Sequence, residues 1–489
     1  CISAWGHDFR PSYRRIVNLV KQLPREFPVL ACTATATPRV QQDIQQQFDN
    51  SRLTVIRGSL SRSNFSLQVI QAENQEAKMV TLLQQVKQQE GSGIIYCGTQ
   101  VESEMYAKWL DFNGIKATYY NASLDNETRK DIEQALMDNT YKCIVSTNAL
   151  GMGLDKPDLR FIIHTQVPVS PLHYYQEIGR AGRDGKPTNV ILFYNESDDE
   201  LPLAFIKGGR PSAGKYFNVI QALKQQPLGL HGVIKAVNIK QTTANVILND
   251  LMDQGIVTRM HNKKYEYIYG APELDTSTFE ALRDSKLEEY DVMKEYIYAS
   301  ECRMRFLTRY LGDTVEKDCR HCDVDLGKRL KVRATESGMA KVEQFRETYF
   351  PVLEVETATG IMVNGTAASY YGVSNVGATI SRCKYQGGGD FPDYLLKLTL
   401  KAFRKRFGQQ RFDLVLYVPP TESGDLVKNF SEKIARTLKF PLSHALSKTR
   451  YTEPQKKFES GISKKGNLKG AFTCNENVRG KPYWGTKRK

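Results

Sequence analysis

Five short apolar runs between residues 92 and 194 constrain the fold of this chain more than any other feature. Strands that are apolar on both sides are buried on both faces, and strand–helix alternation builds a parallel sheet covered by helices. Residues 50–205 are therefore predicted to form a complete α/β domain whose site lies at the carboxyl ends of its strands. The runs are GIIYC, IKATYY, KCIVST, LRFIIHT and NVILFY, and helical patterns lie near 75–90, 100–113, 126–138 and 172–181.

The rest of the chain divides by pattern, and 489 residues are enough for about three domains. Residues 1–49 hold the run PVLACTAT, predicted to be a buried strand, and two helices, too little to enclose a core. The second helix is predicted to begin with Thr37 at its N-cap and Pro38 in its first turn. Residues 213–270 hold helices followed by a hairpin pattern. They predict either a winged helix–turn–helix, whose second helix enters a DNA groove, or a small packing domain. A helical hairpin is predicted at 271–327 and a charged connector at 328–350. A further α/β domain is predicted at 351–489, with PLSHALS as one of its strands.

The net charge of +14 lies entirely in residues 331–489, where there are 28 Lys and Arg against 14 Asp and Glu. This excess indicates either attraction to phosphates, on nucleic acid or on a small ligand, or a basic soluble surface. No apolar run approaches the roughly 20 residues that cross a membrane, so no membrane partner is predicted and the cytoplasm is the expected compartment. Nine unevenly spaced Cys argue against a disulfide framework.

A cysteine cluster has the spacing of a zinc site. Two residues separate Cys319 from Cys322, two more separate Cys322 from Asp325, and Cys302 precedes them. Tetrahedral zinc takes four ligands, and a carboxylate can be one of them, so these four residues predict a structural Cys₃Asp site. His321 is a poorer candidate because its neighbour Cys322 already occupies a coordination position. The alternative is three reduced thiols held by packing.

The stretch 147–185 ends in QEIGRAGRDG, which places Arg180 and Arg183 three residues apart on one helical turn. Two fixed guanidinium groups suit the charge that develops on a γ-phosphoryl group. In isolation the same spacing describes an ordinary pair of surface arginines.

The surrounding sequence resembles the RecQ family of superfamily 2 helicases. TNALGMGLDKPDLRFIIH and YYQEIGRAGRDG are similar to that family's motifs V and VI, LACTATATPRVQQDI to motif III and GSGIIYC to motif IV. YYNASL stands where the family has a YHAGL-like segment and departs from it at Asn121 and Ser123. The opening CISAWGHDFRPSY resembles the family's aromatic-rich loop. The cysteine cluster resembles its zinc module, although a fourth Cys usually stands at the position of Asp325 and the zinc module usually precedes the winged helix.

The resemblance implies an ATP-dependent 3′–5′ DNA helicase of repair or recombination, with ATP, Mg²⁺ and structural Zn²⁺. Residues 1–49 would be part of a first RecA-like lobe, and residues 50–205 a complete second one. Single-stranded, forked or overhanging DNA is the implied partner, with other repair proteins as further candidates and nucleoid association when DNA is bound. The implied site residues are Arg180, Arg183 and Gln176 for catalysis, Gly153 and Asp155 for nucleotide coupling, and Trp5, Phe9, Arg10, Thr33 and Thr35 for DNA.

The sequence departs from the family in its nucleotide-binding motifs. It contains neither the GxxxxGK[ST] loop that cradles phosphates nor the DEAH residues that hold Mg²⁺. The opening stretch is therefore interpreted as a cut edge that follows the missing DEAH box, and the chain alone is expected to lack ATPase activity. Two alternatives stay open, a non-catalytic DNA-binding module and a phosphoribosyltransferase with a vestigial helicase half.

Residues 351–489 resemble a ComF-type phosphoribosyltransferase-like domain, most clearly in TEPQKKF and NLKGAF. The family's acidic Asp-Asp loop is missing from the sequence, so the domain is expected to be incomplete. Lys384, Arg450 and Lys456 could still contact phosphates. The alternative is a basic docking domain.

Overall fold

The chain divides into two units. Residues 1–207 and 281–342 form the first, and residues 208–280 and 343–489 form the second. A computed structural model describes residues 30–47, 54–150, 154–313, 317–356, 362–369, 375–385, 389–408, 410–421, 424–475 and 483–486, apart from positions 31, 34 and 36.

The described residues form seventeen strands. They are β1 (Phe65–Ala72), β2 (Ser92–Tyr96), β3 (Ala117–Tyr120), β4 (Cys143–Ser146), β5 (Leu159–His164), β6 (Thr188–Tyr194), β7 (Leu228–Gly229), β8 (Val257–Arg259), β9 (Lys264–Tyr267), β10 (Leu330–Val332), β11 (Val352–Glu356), β12 (Met362–Thr366), β13 (Leu414–Tyr417), β14 (Leu442–Ser443), β15 (Leu446–Lys448), β16 (Phe472–Cys474) and β17 (Tyr483–Thr486).

Sixteen α-helices lie in the same described ranges. They are α1 (Pro38–Gln47), α2 (Gln75–Gln88), α3 (Gln100–Phe112), α4 (Asn126–Met137), α5 (Pro171–Ile178), α6 (Glu200–Gly208), α7 (Ala213–Gln225), α8 (Leu230–Val237), α9 (Gln241–Asp253), α10 (Ser277–Tyr298), α11 (Arg303–Tyr310), α12 (Glu336–Thr348), α13 (Asn375–Tyr385), α14 (Asp393–Phe407), α15 (Leu426–Leu438) and α16 (Gly461–Leu468).

A seven-stranded parallel sheet organises the first unit, in the order β10-β1-β6-β5-β2-β4-β3. Every residue of β2 and β4 is buried, as expected for strands covered on both faces. The prediction of a parallel α/β domain is therefore confirmed. The order of the strands also brings the carboxyl ends of β2 and β5 side by side, and the candidate site lies at this edge.

Two strands of this sheet lie outside the predicted apolar runs. β1 alternates polar and apolar residues, and β10 is a three-residue strand within the segment predicted to be a charged connector. β10 pairs in parallel with the end of β1 through Ile70 and Leu330. The segment 328–350 thus contributes an edge strand to the sheet of the first unit, because backbone hydrogen bonding does not need an apolar side-chain pattern.

The described part of residues 30–47 contains one helix. Thr37 caps it, since its hydroxyl accepts from the Val40 N–H at 3.3 Å and Pro38 takes the first turn, as predicted. The apolar run before it was predicted to be a buried strand. Its described positions have irregular backbone instead, and Leu30 is 88% exposed. No strand within the described residues pairs with this run, although Thr35 in it is buried.

The amino-terminal part of the second unit contains α7, α8 and α9 with a three-stranded antiparallel sheet in the order β7-β9-β8. A separate apolar core that includes Tyr216, Val233 and Ile247 joins these helices and strands. The predicted hairpin is confirmed by the pairing of β8 with β9. The pattern TTANVILNDLMDQG predicts a helix with a Thr cap that stops at Gly255, but α9 begins at Gln241 with Lys240 at its N-cap. Gly255 follows the helix with a φ of +68°.

Within its described residues, the remainder of the second unit contains three small sheets. β13 lies between β14 and β17 with parallel pairing on both sides, and α15 follows β13. β11 pairs with β12 and β15 with β16, both antiparallel. The apolar run PLSHALS, predicted to be one strand, is divided between β14 and β15, which belong to different sheets.

Candidate nucleotide site and metal centre

Helix α5 positions the two predicted catalytic arginines. Ser170 caps the helix by accepting from the His173 N–H at 3.2 Å, and Pro171 occupies its first turn. Gly179 is the C-cap, so the prediction that Arg180 and Arg183 share one helical turn is wrong, and both lie in the tight turn beyond the helix. Gly182 in that turn has a φ of +57°, and a Cβ there would overlap with Asn64 and Thr188. The glycine is therefore required for the turn to pack against the sheet.

Arg183 forms an ion pair with Asp155, with 2.6 Å between Nη1 and Oδ1. The structure thus brings together a predicted catalytic residue and a predicted nucleotide-coupling residue. The Arg183 side chain is 36% exposed and that of Asp155 is 80% exposed. A pair this open contributes at most about 1 kcal/mol, so the guanidinium can exchange Asp155 for a phosphate at little cost.

Gln176 links α5 to the segment that resembles motif III. Its Nε2 donates to Thr35 Oγ1 at 2.9 Å, and the Thr33 hydroxyl donates to the Thr35 carbonyl at 2.8 Å. Thr35 is buried although Leu30 nearby is exposed. Gln176 is thereby hydrogen-bonded to a group that contains two other predicted site residues, Thr33 and Thr35, 141 positions before it at the nearer one.

A buried aromatic pair lies beside Arg180, which the sequence analysis did not identify as part of the site. Tyr96 ends β2 and His164 ends β5, and their rings stack with centroids 5.1 Å apart. His164 Nε2 lies 2.8 Å from a carboxylate oxygen of Glu177 on α5. Burial raises the pKa of the Tyr96 hydroxyl, Glu177 raises it further, and Arg180 opposes this by interacting with the hydroxyl.

The positions of Tyr96, His164 and Glu177 in the sequence indicate that they belong to the site. Tyr96 and His164 are the polar-tipped side chains at the carboxyl ends of buried strands, where the site of a parallel sheet is expected. Glu177 stands between the predicted residues Gln176 and Arg180.

Four predicted site residues, Trp5, Phe9, Arg10 and Gly153, lie outside the described residues. The departure from the family pattern at Asn121 has a local explanation. Its side chain is 2% exposed, donates to Ser103 Oγ at 2.9 Å and accepts from Ser123, so the polar group is satisfied inside the fold.

The four predicted metal ligands lie together at the junction of α11 and the CRHC segment. The ligand atoms of Cys302, Cys319, Cys322 and Asp325 all lie within 4.8 Å of one another. Sulfurs around a tetrahedral zinc stand about 3.8 Å apart, given a Zn–S distance near 2.3 Å. The cluster is therefore of the right size for a single zinc ion with a Cys₃Asp ligand set.

Backbone N–H groups surround the sulfur atoms of this cluster. Cys302 Sγ accepts from the Cys319 N–H at 3.1 Å, and Cys322 Sγ accepts from the Arg303 and Asp325 N–H groups at 3.4 Å each. Hydrogen bonds among the three thiols lower the pKa of Cys322 and raise that of Cys319. Arg320 in the turn has a φ of +62°, which lets its N–H donate to Asp325 at 2.7 Å. The donor set and its hydrogen bonds fit a thiolate metal centre.

Two family models match this chain. The helicase conserved C-terminal domain matches residues 76–185, which include α5 and the two arginines. The RecQ zinc-binding model matches residues 253–326, which include all four predicted metal ligands. None of the described helices has both the length and the apolar character of a membrane-spanning segment.

Curated relatives are DNA helicases. The chain is 30% identical over 368 residues to the probable ATP-dependent DNA helicase RecS of Bacillus subtilis (strain 168), a match that covers 73% of this chain and 71% of RecS. It is 36% identical over 198 residues to ATP-dependent DNA helicase RecQ of the same organism, covering 40% of this chain and 33% of RecQ. The RecQ-like DNA helicase BLM of Xenopus laevis is 38% identical over 203 residues, covering 40% of this chain and 15% of BLM. The chain thus spans most of RecS but a third or less of the other two relatives.

Proposed function

The chain belongs to the RecQ family of ATP-dependent DNA helicases, and from this premise we propose that its first unit is the second motor lobe of a DNA-stimulated ATPase. One observation carries the proposal. Helix α5 presents Arg180 and Arg183 at its end, while Gln176 on the same helix donates to Thr35 at 2.9 Å in the segment that resembles motif III. A change at the nucleotide can therefore reach a segment expected to contact DNA through a single helix.

We propose that Arg180 and Arg183 neutralise the charge that develops on the γ-phosphoryl group of ATP. Arg183 exchanges Asp155 for the phosphate when nucleotide binds, which makes the ion pair a nucleotide-dependent contact. The Tyr96 hydroxyl, which interacts with Arg180, and the nearby Glu177 are proposed to fix the position of the Arg180 side chain. Trp5, Phe9, Arg10, Thr33 and Thr35 are proposed to contact the DNA strand, with Gly153 beside Asp155 in the coupling segment.

Translocation is proposed to run 3′ to 5′, on single-stranded, forked or overhanging DNA, in repair or recombination. Other repair proteins would be partners, and the site of action would be the nucleoid in the cytoplasm. The support is the family itself and the bacterial origin of RecS and RecQ. ATP and Mg²⁺ are required for the motor, and the residues that cradle them are absent from these 489 residues.

We propose that Cys302, Cys319, Cys322 and Asp325 hold one structural Zn²⁺. The zinc would supply a cross-link between α11 and the CRHC segment. The support is the four-ligand geometry within 4.8 Å and the match of the zinc-binding model over these residues.

Residues 213–270 are proposed to be a winged helix whose α9 enters a DNA groove. The support is the set of three helices, the antiparallel sheet β7-β9-β8, and a hairpin turn that exposes Lys263 and Lys264. For residues 351–489 we propose a phosphoribosyltransferase-like fold that serves as a basic docking domain. The parallel strands on both sides of β13 and the helix α15 that follows support this proposal.

The test is ATP hydrolysis with and without single-stranded DNA. The 489-residue chain is expected to show no turnover, since it has no phosphate cradle. A chimera with the first lobe of Bacillus subtilis RecQ in place of residues 1–49 is expected to hydrolyse ATP with DNA stimulation. Turnover by the unmodified chain, or a folded chimera that binds ATP but never hydrolyses it, would refute the proposal.

A further inference from the structure

A row of buried side chains begins at the cysteine cluster, one residue past Cys322. The Asp323 carboxylate accepts from Arg303 Nε at 2.7 Å and from the Val69 N–H of β1 at 3.0 Å. Its own N–H donates to the Leu67 carbonyl at 2.9 Å. Arg303 is 1% exposed and Asp323 is 4% exposed. The cluster is thereby joined to the sheet of the first unit by a fully buried ion pair.

Arg303 connects the cluster to α10. Its backbone N–H donates to the sulfur of Cys322 at 3.4 Å, and its guanidinium lies over the ring of Tyr296 with 5.1 Å to the centroid. The guanidinium also donates to the Tyr296 carbonyl. One residue therefore contacts both a metal ligand and Tyr296.

The row then continues through aromatic rings into α5. The rings of Tyr296 and Tyr174 are 5.4 Å apart, and those of Tyr174 and His164 are 5.0 Å apart. Each of these three residues is at most 1% exposed. Tyr174 is a residue of α5, and His164 holds Glu177 of the same helix at 2.8 Å. The helix that precedes the Arg180 turn is thus held from the side of the cysteine cluster.

We propose that this buried row makes Tyr296 a positioning residue that ties helix α5, and with it Arg180 and Arg183, to the cysteine cluster. Close-packed interiors do not absorb a displaced ring without moving its neighbours. Loss of metal frees the Cys322 segment, which releases Asp323 and Arg303, and the change reaches α5 through the two tyrosine rings. The metal centre would therefore control the order of the arginine turn as well as the local fold.

The relevance to ATP rests on the proposed function, but the coupling itself does not, so the test uses no ATP. Hydrogen–deuterium exchange is measured in the zinc-loaded 489-residue chain, at peptides from 171–185 and, as internal reference, at peptides from α3. Tyr296→Leu is expected to speed exchange at 171–185 by roughly 2- to 30-fold, the span of such couplings, while α3 and zinc content stay unchanged. Tyr296→Phe, which keeps the ring, is expected to leave both peptides unchanged. Tyr216→Leu removes a matched tyrosine, 0% exposed, from the second unit and is expected to leave 171–185 unchanged.

The second perturbation is removal of zinc with a chelator, applied to the unaltered chain and to Tyr296→Leu. In the unaltered chain, zinc removal is expected to speed exchange at 171–185 as much as Tyr296→Leu does. In Tyr296→Leu, zinc removal is expected to add little, because both changes interrupt one row. Fully additive effects, no change at 171–185 in Tyr296→Leu, or an equal rise in α3 would each overturn the proposal. An ATPase failure of the chimera would refute the motor function and leave this result untouched.

Discussion

Arg183 and Arg180 stand three residues apart but in different surroundings. Arg183 is partly exposed and pairs with an open carboxylate, Asp155. Arg180 is half-buried beside the Tyr96 hydroxyl and close to Glu177. An exposed guanidinium can reorganise around a ligand, whereas a packed one is already held in place. We therefore expect Arg183 to respond to nucleotide and Arg180 to be preset.

Replacement of Arg183 tests this assignment in the chimera that carries the first lobe of RecQ. Arg183→Ala is expected to lower ATP turnover about 10³- to 10⁵-fold, as removal of an arginine finger does. DNA affinity without nucleotide is expected to change little. The matched control is Arg283→Ala, which removes an exposed arginine that pairs with the adjacent Asp284. Near-normal turnover by Arg183→Ala, or an equal loss in the control, would contradict the assignment.

The sequence pattern was sufficient to nominate Arg180, Arg183 and Gln176 but not the residues that hold them. The ring contact between Tyr174 and Tyr296 joins residues 122 positions apart, and a pattern of local spacing contains no information on such pairs. The same holds for Asp323, whose partners on β1 precede it by more than 250 residues. Its neighbour Cys322 was predicted because metal-ligand spacing is local.

The turn around CRHC carries Asp325 at the position where the family resemblance implies a fourth Cys. Asp325 lies on the exposed side of the cluster, while Cys302 and Cys322 are buried. Its carboxylate also accepts the Arg320 N–H, so it is held in place before metal binds. A preorganised carboxylate can complete the tetrahedral site that a fourth thiolate would otherwise complete.

Substitutions at Asp325 test this. Asp325→Ala is expected to weaken zinc binding by at least about tenfold, whereas Asp325→Cys should keep or strengthen it. Affinity is measured by competition with a chromogenic chelator, together with the metal content of the purified protein. Asp318→Ala is the control, because Asp318 is a nearby carboxylate that pairs with Arg305 at 2.8 Å. Unchanged affinity in Asp325→Ala would exclude the carboxylate as a ligand.

The strands and helices predicted for residues 92–194 are confirmed. Buried parallel strands are continuous apolar runs, whereas in the covering helices apolar residues recur every 3.6 positions, so the two can be told apart in the sequence. β10 escaped prediction because three residues of a charged segment have no period to read, and they become a strand only beside β1. The prediction that PLSHALS forms one strand is wrong for the opposite reason. Its apolar residues form a single run, but tertiary pairing divides them between two sheets.

The division of the chain into units could not be obtained from sequence order. The first unit is discontinuous, since residues 281–342 return to it after an interval that belongs to the second. Composition changed near residue 331, which marks where the positive charge begins rather than where a unit begins. The boundaries predicted at 205, 213 and 271 follow changes in local sequence pattern. The units are defined instead by packing between segments that are distant in sequence.

The uneven charge of the molecule leads to a prediction on DNA binding. All of the net +14 lies in residues 331–489, and α14 presents Lys397 and Arg404 on one exposed face, seven residues apart. Lys401 between them is already paired with Glu347 at 2.7 Å. If the proposed docking domain contacts DNA phosphates, the affinity of the 489-residue chain must fall steeply with salt, because each phosphate contact releases counterions.

The measurement is the dissociation constant for a forked duplex at several salt concentrations. The double variant Lys397→Ala with Arg404→Ala is expected to make the slope of log affinity against log salt shallower by about 1.8, which is two phosphate contacts at about 0.9 each. The control is Lys87→Ala with Lys108→Ala, which removes the same charge from exposed positions of the first unit. An unchanged slope in the first variant would show that α14 does not contact DNA. Equal changes in both variants would mean that net charge alone, and no particular surface, determines the affinity.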